Sequence, residues 1–156
     1  MSDLLIRAAL PAEAGVIVAH RRAMFDEIHQ RGRETLDEMD AAFGPWVSAH
    51  LERGDYLGWF AVTAAGEVVG GAGVWVMDWP PLPGHPGNRR ANVLNVYVQP
   101  EFRRRGLARR LTQTAIDWCR QAGLGVVILH ASAAGRPVYE ALGFTPTNEM
   151  RLVLDD

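Results

Sequence analysis

The chain contains no lysine; all 16 basic residues are arginine, a bias with no functional reading of its own. Its single cysteine, Cys119, excludes an intrachain disulfide and fits a cytoplasmic setting. That cysteine falls on the apolar face of a helical pattern, which marks a buried structural thiol rather than a nucleophile. No stretch approaches the roughly 20 apolar residues of a membrane span. The N-terminus has no basic region leading into a long apolar run, so no secretory leader is expected. Neither G-x-G-x-x-G nor G-x-x-x-x-G-K-[ST] occurs, which leaves the dinucleotide fold and the P-loop without support. No Ser-His-Asp spacing suggests a covalent intermediate. A net charge of −2 gives no global attraction to nucleic acid or to a membrane surface. Repeats and low-complexity segments are also missing.

What is present is organised around Asn92 to Ala108. Val93, Leu94, Val96, Tyr97 and Val98 favour a half-buried strand, and Pro100, which cannot donate a ladder hydrogen bond, stops it. Gly106 then opens a segment in which Leu107, Leu111, Ala115, Trp118 and Cys119 recur at helical spacing. The unit is strand, arginine-rich loop, helix. A helix start carries unpaired N–H groups and partial positive charge, and so seats an anion. Arg103, Arg104, Arg105, Arg109 and Arg110 add charge at the same place, and the stretch reads as a diphosphate cradle. Taken alone, such an arginine cluster also suits a solvated face or nucleic-acid phosphates.

At 156 residues and 48% hydrophobic, the chain suits one domain over 1–156 with a sizeable core. Leu4–Ala8 reads as a strand. A helix follows from Pro11 to about His29, ended by Gly32. Thr35 and Glu38 form a capping-box pattern for a helix over Leu36–Arg53, which Gly44-Pro45 should kink or split. Tyr56–Thr63 and Val68–Met77 read as a hairpin, with Gly70, Gly71 and Gly73 suggesting a bulge or close backbone approach. Asp78–Asn88 is a proline-rich loop, the kind of long connection that often carries function. After the central helix come a strand at Val126–Ala131, a short helix at Gly135–Leu142 with Ser132 as a cap, and a final strand at Thr147–Leu154. This order argues for a mixed sheet covered by helices.

The motif R-R-R-G-L-A resembles the Q/R-x-x-G-x-G/A signature of the GNAT (Gcn5-related N-acetyltransferase) family. Its setting strengthens the likeness, through V-Y-V-Q-P-E-F before it and V-Y-E-A-L-G-F at Val138–Phe144. The resemblance covers Ala91–Phe144 firmly and the rest loosely. It implies an α/β GNAT fold, with a mixed central sheet flanked by helices and splayed central parallel strands. The family usually has two strands after the G-F, whereas only a dozen residues remain here, so the first of these must be very short or absent.

The same resemblance implies an acetyl-CoA-dependent N-acetyltransferase that works by direct attack of a primary amine in a ternary complex, without a metal. Acetyl-CoA is then a co-substrate. Arg103, Arg104, Arg105, Gly106, Leu107 and Ala108 would hold its diphosphate, with Arg109 or Arg110 reaching the adenosine phosphate. The backbone of Val96 and Val98 would pair with the pantetheine, and Ser132, Gly135 and Arg136 would line the same arm. Tyr139 matches the family's general acid, a phenol able to protonate the departing thiolate. Where some members place a glutamate base, this chain has Asn92, which cannot take that proton. Glu27, His29, Asp78, His85 and His130 remain, with Asp78 and Glu27 ranked first. Phe25, Trp75, Trp79 and Tyr97 are candidate acceptor-pocket walls. A homodimer is open, since many proteins of this fold pair. The rival readings are a catalytically silent CoA-binding regulatory module and, behind it, a nucleic-acid-binding protein using the arginine patch.

Overall fold

A computed structural model describes residues 4–29 and 32–155. Five strands form one sheet in the order β1 (Leu5–Ala8), β2 (Tyr56–Val62), β3 (Val68–Asp78), β4 (Arg89–Val98) and β5 (Val127–Leu129). The first four are antiparallel neighbours, and β4 with β5 is the parallel pair. Helices α1 (Ala14–His29) and α2 (Arg33–Arg53) lie between β1 and β2 in the chain. Helix α3 (Leu107–Gln121) connects β4 to β5, and α4 (Arg136–Ala141) follows β5. The sheet is therefore mixed and flanked by helices, as the sequence leads one to expect.

Strand periodicity divides the core in two. Along β2, Trp59 and Ala61 join a cluster with Leu107, Leu111, Ala115 and Cys119 of α3. Tyr56, Phe60 and Val62 point the other way, against Ile17 of α1 and Val47 and Leu51 of α2. Cys119 is buried, and desolvation pushes its thiol up to about 11, as suits a packing role.

Two expectations are corrected. Helix α2 is not split at Pro45 but runs through it as one helix, and its start lacks the expected side-chain cap. Packing outweighs the proline penalty of about 3 kcal/mol: Trp46, next in the chain, stacks on Phe43 and meets Trp75 edge-on at 5.3 Å, and Val47 is fully buried. The predicted final strand at Thr147–Leu154 does not form. Met150, Leu152 and Leu154 are 94%, 81% and 88% exposed. An alternating pattern makes a strand only where a sheet face receives it, and the sheet stops at the three-residue β5.

What positions the site is how β4 leaves its neighbours. Its parallel ladder with β5 consists of Ala91–Val127, Asn92–Ile128 and Val93–Leu129, and then ends. From Leu94 to Val98 the strand continues with β3 on one side only. On that side the register slips, from Gly71 opposite Tyr97 to Gly73 opposite Leu94. The extra residue sits in β4, where Asn95 takes φ +58. This bulge lies opposite the glycines, and a second slip on the β2 side, from Ala61 opposite Gly70 to Val62 opposite Val68, leaves an extra residue at Val69 beside them. The glycines also serve close approach: a Cβ on Gly73 would overlap the phenol oxygen of Tyr56.

Candidate active site

A cavity of about 710 Å³ opens in the gap between β4 and β5. Val93 to Val96 line one side, Leu129 to Ser132 and Tyr139 the other, and α1, α2 and β3 close it with Arg21, Phe25, Phe43, Trp46 and Trp75.

The bulge that opens this gap is held by side chains. Asn95 is 4% exposed; its Oδ1 accepts from Arg21 Nη1 at 2.8 Å and its Nδ2 donates to the Tyr56 hydroxyl at 2.8 Å. Burial pushes the Tyr56 phenol up to about 12, so it stays neutral. Neither Arg21 nor Asn95 stands out as a site residue in the sequence. The available signal is the one amide inside V-L-N-V-Y-V, a polar group that such a strand must satisfy when buried.

After β4 the chain makes a single turn of 3-10 helix at Pro100–Phe102. Arg104 then takes φ +62 and Gly106 φ +73, and α3 begins at Leu107 with no side chain capping it. The first intrahelical bond runs from Arg110 N to Gly106 O, so the N–H groups of Leu107 and Ala108 belong to the open first turn. The Leu107 side chain is in the core. Arg103 is committed elsewhere: Nε donates to Val98 O at 2.7 Å and Nη2 meets both Glu27 oxygens at 2.9 Å. Arg105 lies over Phe102 and reaches Glu101 O at 3.4 Å. Arg110 donates to Leu4 O at 3.2 Å. Arg104 and Arg109 are exposed.

Across the gap, Ser132 Oγ accepts from Gly135 N at 3.1 Å, fixing the approach to α4. Gly135 leaves room for the Tyr139 ring, whose Cε2 would stand 2.9 Å from a Cβ there. Tyr139 is half-buried, lines the cavity, and has its phenol pushed above the ordinary range by desolvation. Arg136 is exposed and pairs with Glu140 at 2.7 Å.

The two first-ranked base candidates lie outside the cavity lining. Asp78 is exposed at the end of β3, opposite Arg89, and Glu27 holds Arg103. His85 rests against Gly125 in the proline-rich loop. The side chain of His29 is outside the described residues. His130 does line the cavity, and its Nε2 lies 3.0 Å from Glu149 Oε1. Of the expected acceptor walls, Phe25 and Trp75 line the cavity. Trp79 instead stacks under Arg90 at 3.2 Å, and Tyr97 packs on His20 at 5.4 Å. Among the described residues no group of three His, Cys, Asp or Glu could hold a metal, and no helix is long and apolar enough to cross a membrane.

A mixed sheet with a splayed parallel pair, a bulged central strand and an uncapped helix start after an arginine loop defines the N-acetyltransferase class of fold. Residues 18–144 match the acetyltransferase (GNAT) family model, and the chain belongs to that family. It is similar to the crystal structure of a GCN5-related N-acetyltransferase from Ralstonia eutropha, with 34% identity, coverage of 97% of this chain and 98% of that one, and a TM-score of 0.91. A predicted acetyltransferase with acetyl-CoA from Clostridium acetobutylicum has the same fold, at 20% identity, 97% and 96% coverage and a TM-score of 0.87. Among curated relatives, a mycothiol acetyltransferase of Amycolatopsis mediterranei is 36% identical over 138 residues, covering 85% of this chain and 42% of that protein. The chain thus spans less than half the length of that relative.

Proposed function

We propose that the chain moves an acetyl group from acetyl-CoA to a primary amine by direct attack within a ternary complex. The observation that carries this is one continuous cavity whose lining joins the strand edge Leu94–Val96, beyond the end of the β5 ladder, to Tyr139, whose phenol burial holds in its protonated form. The residues present fit acetyl-CoA as a substrate: a helix start with no side-chain cap offers N–H groups to a diphosphate, and the open edge of β4 offers main-chain partners to the two pantetheine amides.

Gly106, Leu107 and Ala108 hold the diphosphate through their N–H groups, with Arg104 and Arg105 supplying charge. Arg103 acts as a positioning residue, tying the end of β4 to α1. Val96 and Val98 offer their backbone to the pantetheine, and an N–H at Val96, which the cavity reaches, serves the thioester oxygen as charge builds on it. Ser132 and Gly135 flank the arm; Arg136 belongs to its outer rim. The amine nitrogen bonds to the carbonyl carbon, the C–S bond breaks, and Tyr139 gives its proton to the thiolate. With Asp78 and Glu27 outside the lining, we assign removal of the amine proton to His130, oriented by Glu149.

One observation favours the silent CoA-binding module: no Asp or Glu lines the cavity among the described residues. Following thiol release from acetyl-CoA across a panel of amines separates the two readings. Amine-dependent release lost in Tyr139→Phe upholds transfer; binding of acetyl-CoA without release for any amine upholds the silent module.

A further inference from the structure

The cavity wall around Arg21 has a chemistry of its own. The guanidinium of Arg21 lies between two rings, 4.9 Å from the Phe25 centroid and 4.6 Å from that of Phe43. Its Nη1 donates to a neutral amide, at Asn95 Oδ1, and its Nε is buried with no partner. Among the described residues no carboxylate reaches ion-pair distance of it. A half-buried cation with only neutral neighbours is costly unless a counter-charge arrives, and burial already lowers its pKa. The cavity lining adds a second cation, Arg151, and no acidic side chain. Asn92 Oδ1, in the same lining, is a buried acceptor without a donor. The lining from α2 and β3 is aromatic, with Trp46 in contact with both Phe43 and Trp75.

We propose that the acceptor is an amine that carries a carboxylate on an apolar or aromatic body. Arg21 takes the carboxylate, Asn92 Oδ1 accepts from the amine N–H, and the tryptophan-phenylalanine wall takes the body. A carboxylate completes the charge-assisted bonds that Asn95 cannot supply. The cations around the site also disfavour the ammonium form of the amine, which aids the loss of its proton. Polycationic acceptors such as aminoglycosides, which would need acidic walls, are disfavoured. The inference rests on the transferase reading, but its recognition step is measurable without turnover.

The test uses matched pairs. Acetyl transfer from acetyl-CoA is measured with phenylalanine, phenethylamine, the phosphonate analogue of phenylalanine, and kanamycin. Wild type should prefer phenylalanine over phenethylamine by about tenfold to a hundredfold in kcat/KM. In Arg21→Gln, whose amide can still donate to Asn95 Oδ1, the ratio should fall to near one, and Arg21→Lys should keep part of it. In parallel, calorimetry on wild type with CoA present compares N-acetylphenylalanine with N-acetylphenethylamine, which needs no variant to fold. Equal use of the two amines, a preference that survives Arg21→Gln, or better use of the phosphonate or kanamycin overturns the proposal. If no amine releases CoA, the transferase reading fails while the binding arm still decides: tighter binding of the carboxylated ligand upholds the inference, and equal or absent binding overturns it.

Discussion

The side-chain amide of Asn95 donates to the phenol of Tyr56 at 2.8 Å, and this bond holds the one residue of β4 whose backbone turns left-handed. Asparagine tolerates φ +58 better than most residues, and its two ends satisfy Tyr56 and Arg21 together. Gly73 makes room for the phenol beneath. The gap between β4 and β5 therefore depends on a polar contact inside an apolar strand.

Replacing Asn95 tests this. Asn95→Ala leaves two buried partners unsatisfied and strains the backbone, and is expected to cost about 2–4 kcal/mol in urea unfolding. Asn95→Asp keeps the geometry and gives Arg21 a counter-charge. It should retain most of the stability but weaken any carboxylated acceptor, read as a raised acceptor KM at unchanged acetyl-CoA KM.

Tyr139→Phe removes the phenol but keeps the ring contact with Phe144. The expected result is a fall in kcat of about 10²–10⁴-fold, with acetyl-CoA affinity retained. Because burial raises this phenol's pKa, any alkaline loss of wild-type kcat from it should fall above the ordinary phenol range.

Acid sensitivity should trace to His20. It is 7% exposed, packed on Phe60 and Tyr97, and desolvation holds it down to about 4. In the unfolded chain an imidazole titrates near 6.5. Its contribution is thus complete above about pH 6.5 and lost as pH falls toward 4, to the extent of about 3 kcal/mol. His20→Gln should flatten the stability profile over that window. Glu13, held down to about 2 by Arg7, acts at lower pH, below its ordinary range.

Much of this was legible in the sequence, and the failures have physical causes. The strand–loop–helix unit at Asn92–Ala108 could be read because local signals agree there: β-branched residues, a stop at Pro100, and Gly106 before a helical apolar pattern. Helix α2 does not split at Pro45, because a distant tryptophan, Trp75, packs on Trp46. The final strand was misjudged because Met150, Leu152 and Leu154 carry the right period but meet no sheet face. Within the site, Tyr139 and Ser132 were legible through their motif. Arg21 was not, since a helical arginine looks solvated until β4 and α2 are packed around it. Asp78 and Glu27 suggested themselves as carboxylates near functional stretches, and only the fold sends one to a strand end and the other to Arg103.

The left-handed turn at Gly106 makes a further prediction. Gly106→Ala puts a Cβ where φ is +73, a strain of about 1–2 kcal/mol, at the residue that starts α3. Acetyl-CoA should bind about tenfold more weakly in calorimetry, with the circular dichroism of the fold preserved.

The most direct measurement is a titration of the isotope-labelled protein with acetyl-CoA, followed through backbone amide resonances. The account predicts saturable shifts concentrated at Gly106–Arg109, for the diphosphate, and at Leu94–Val96, for the pantetheine. Saturation without movement at either stretch, or shifts centred on the proline-rich loop near Arg89 and Arg90, would contradict it.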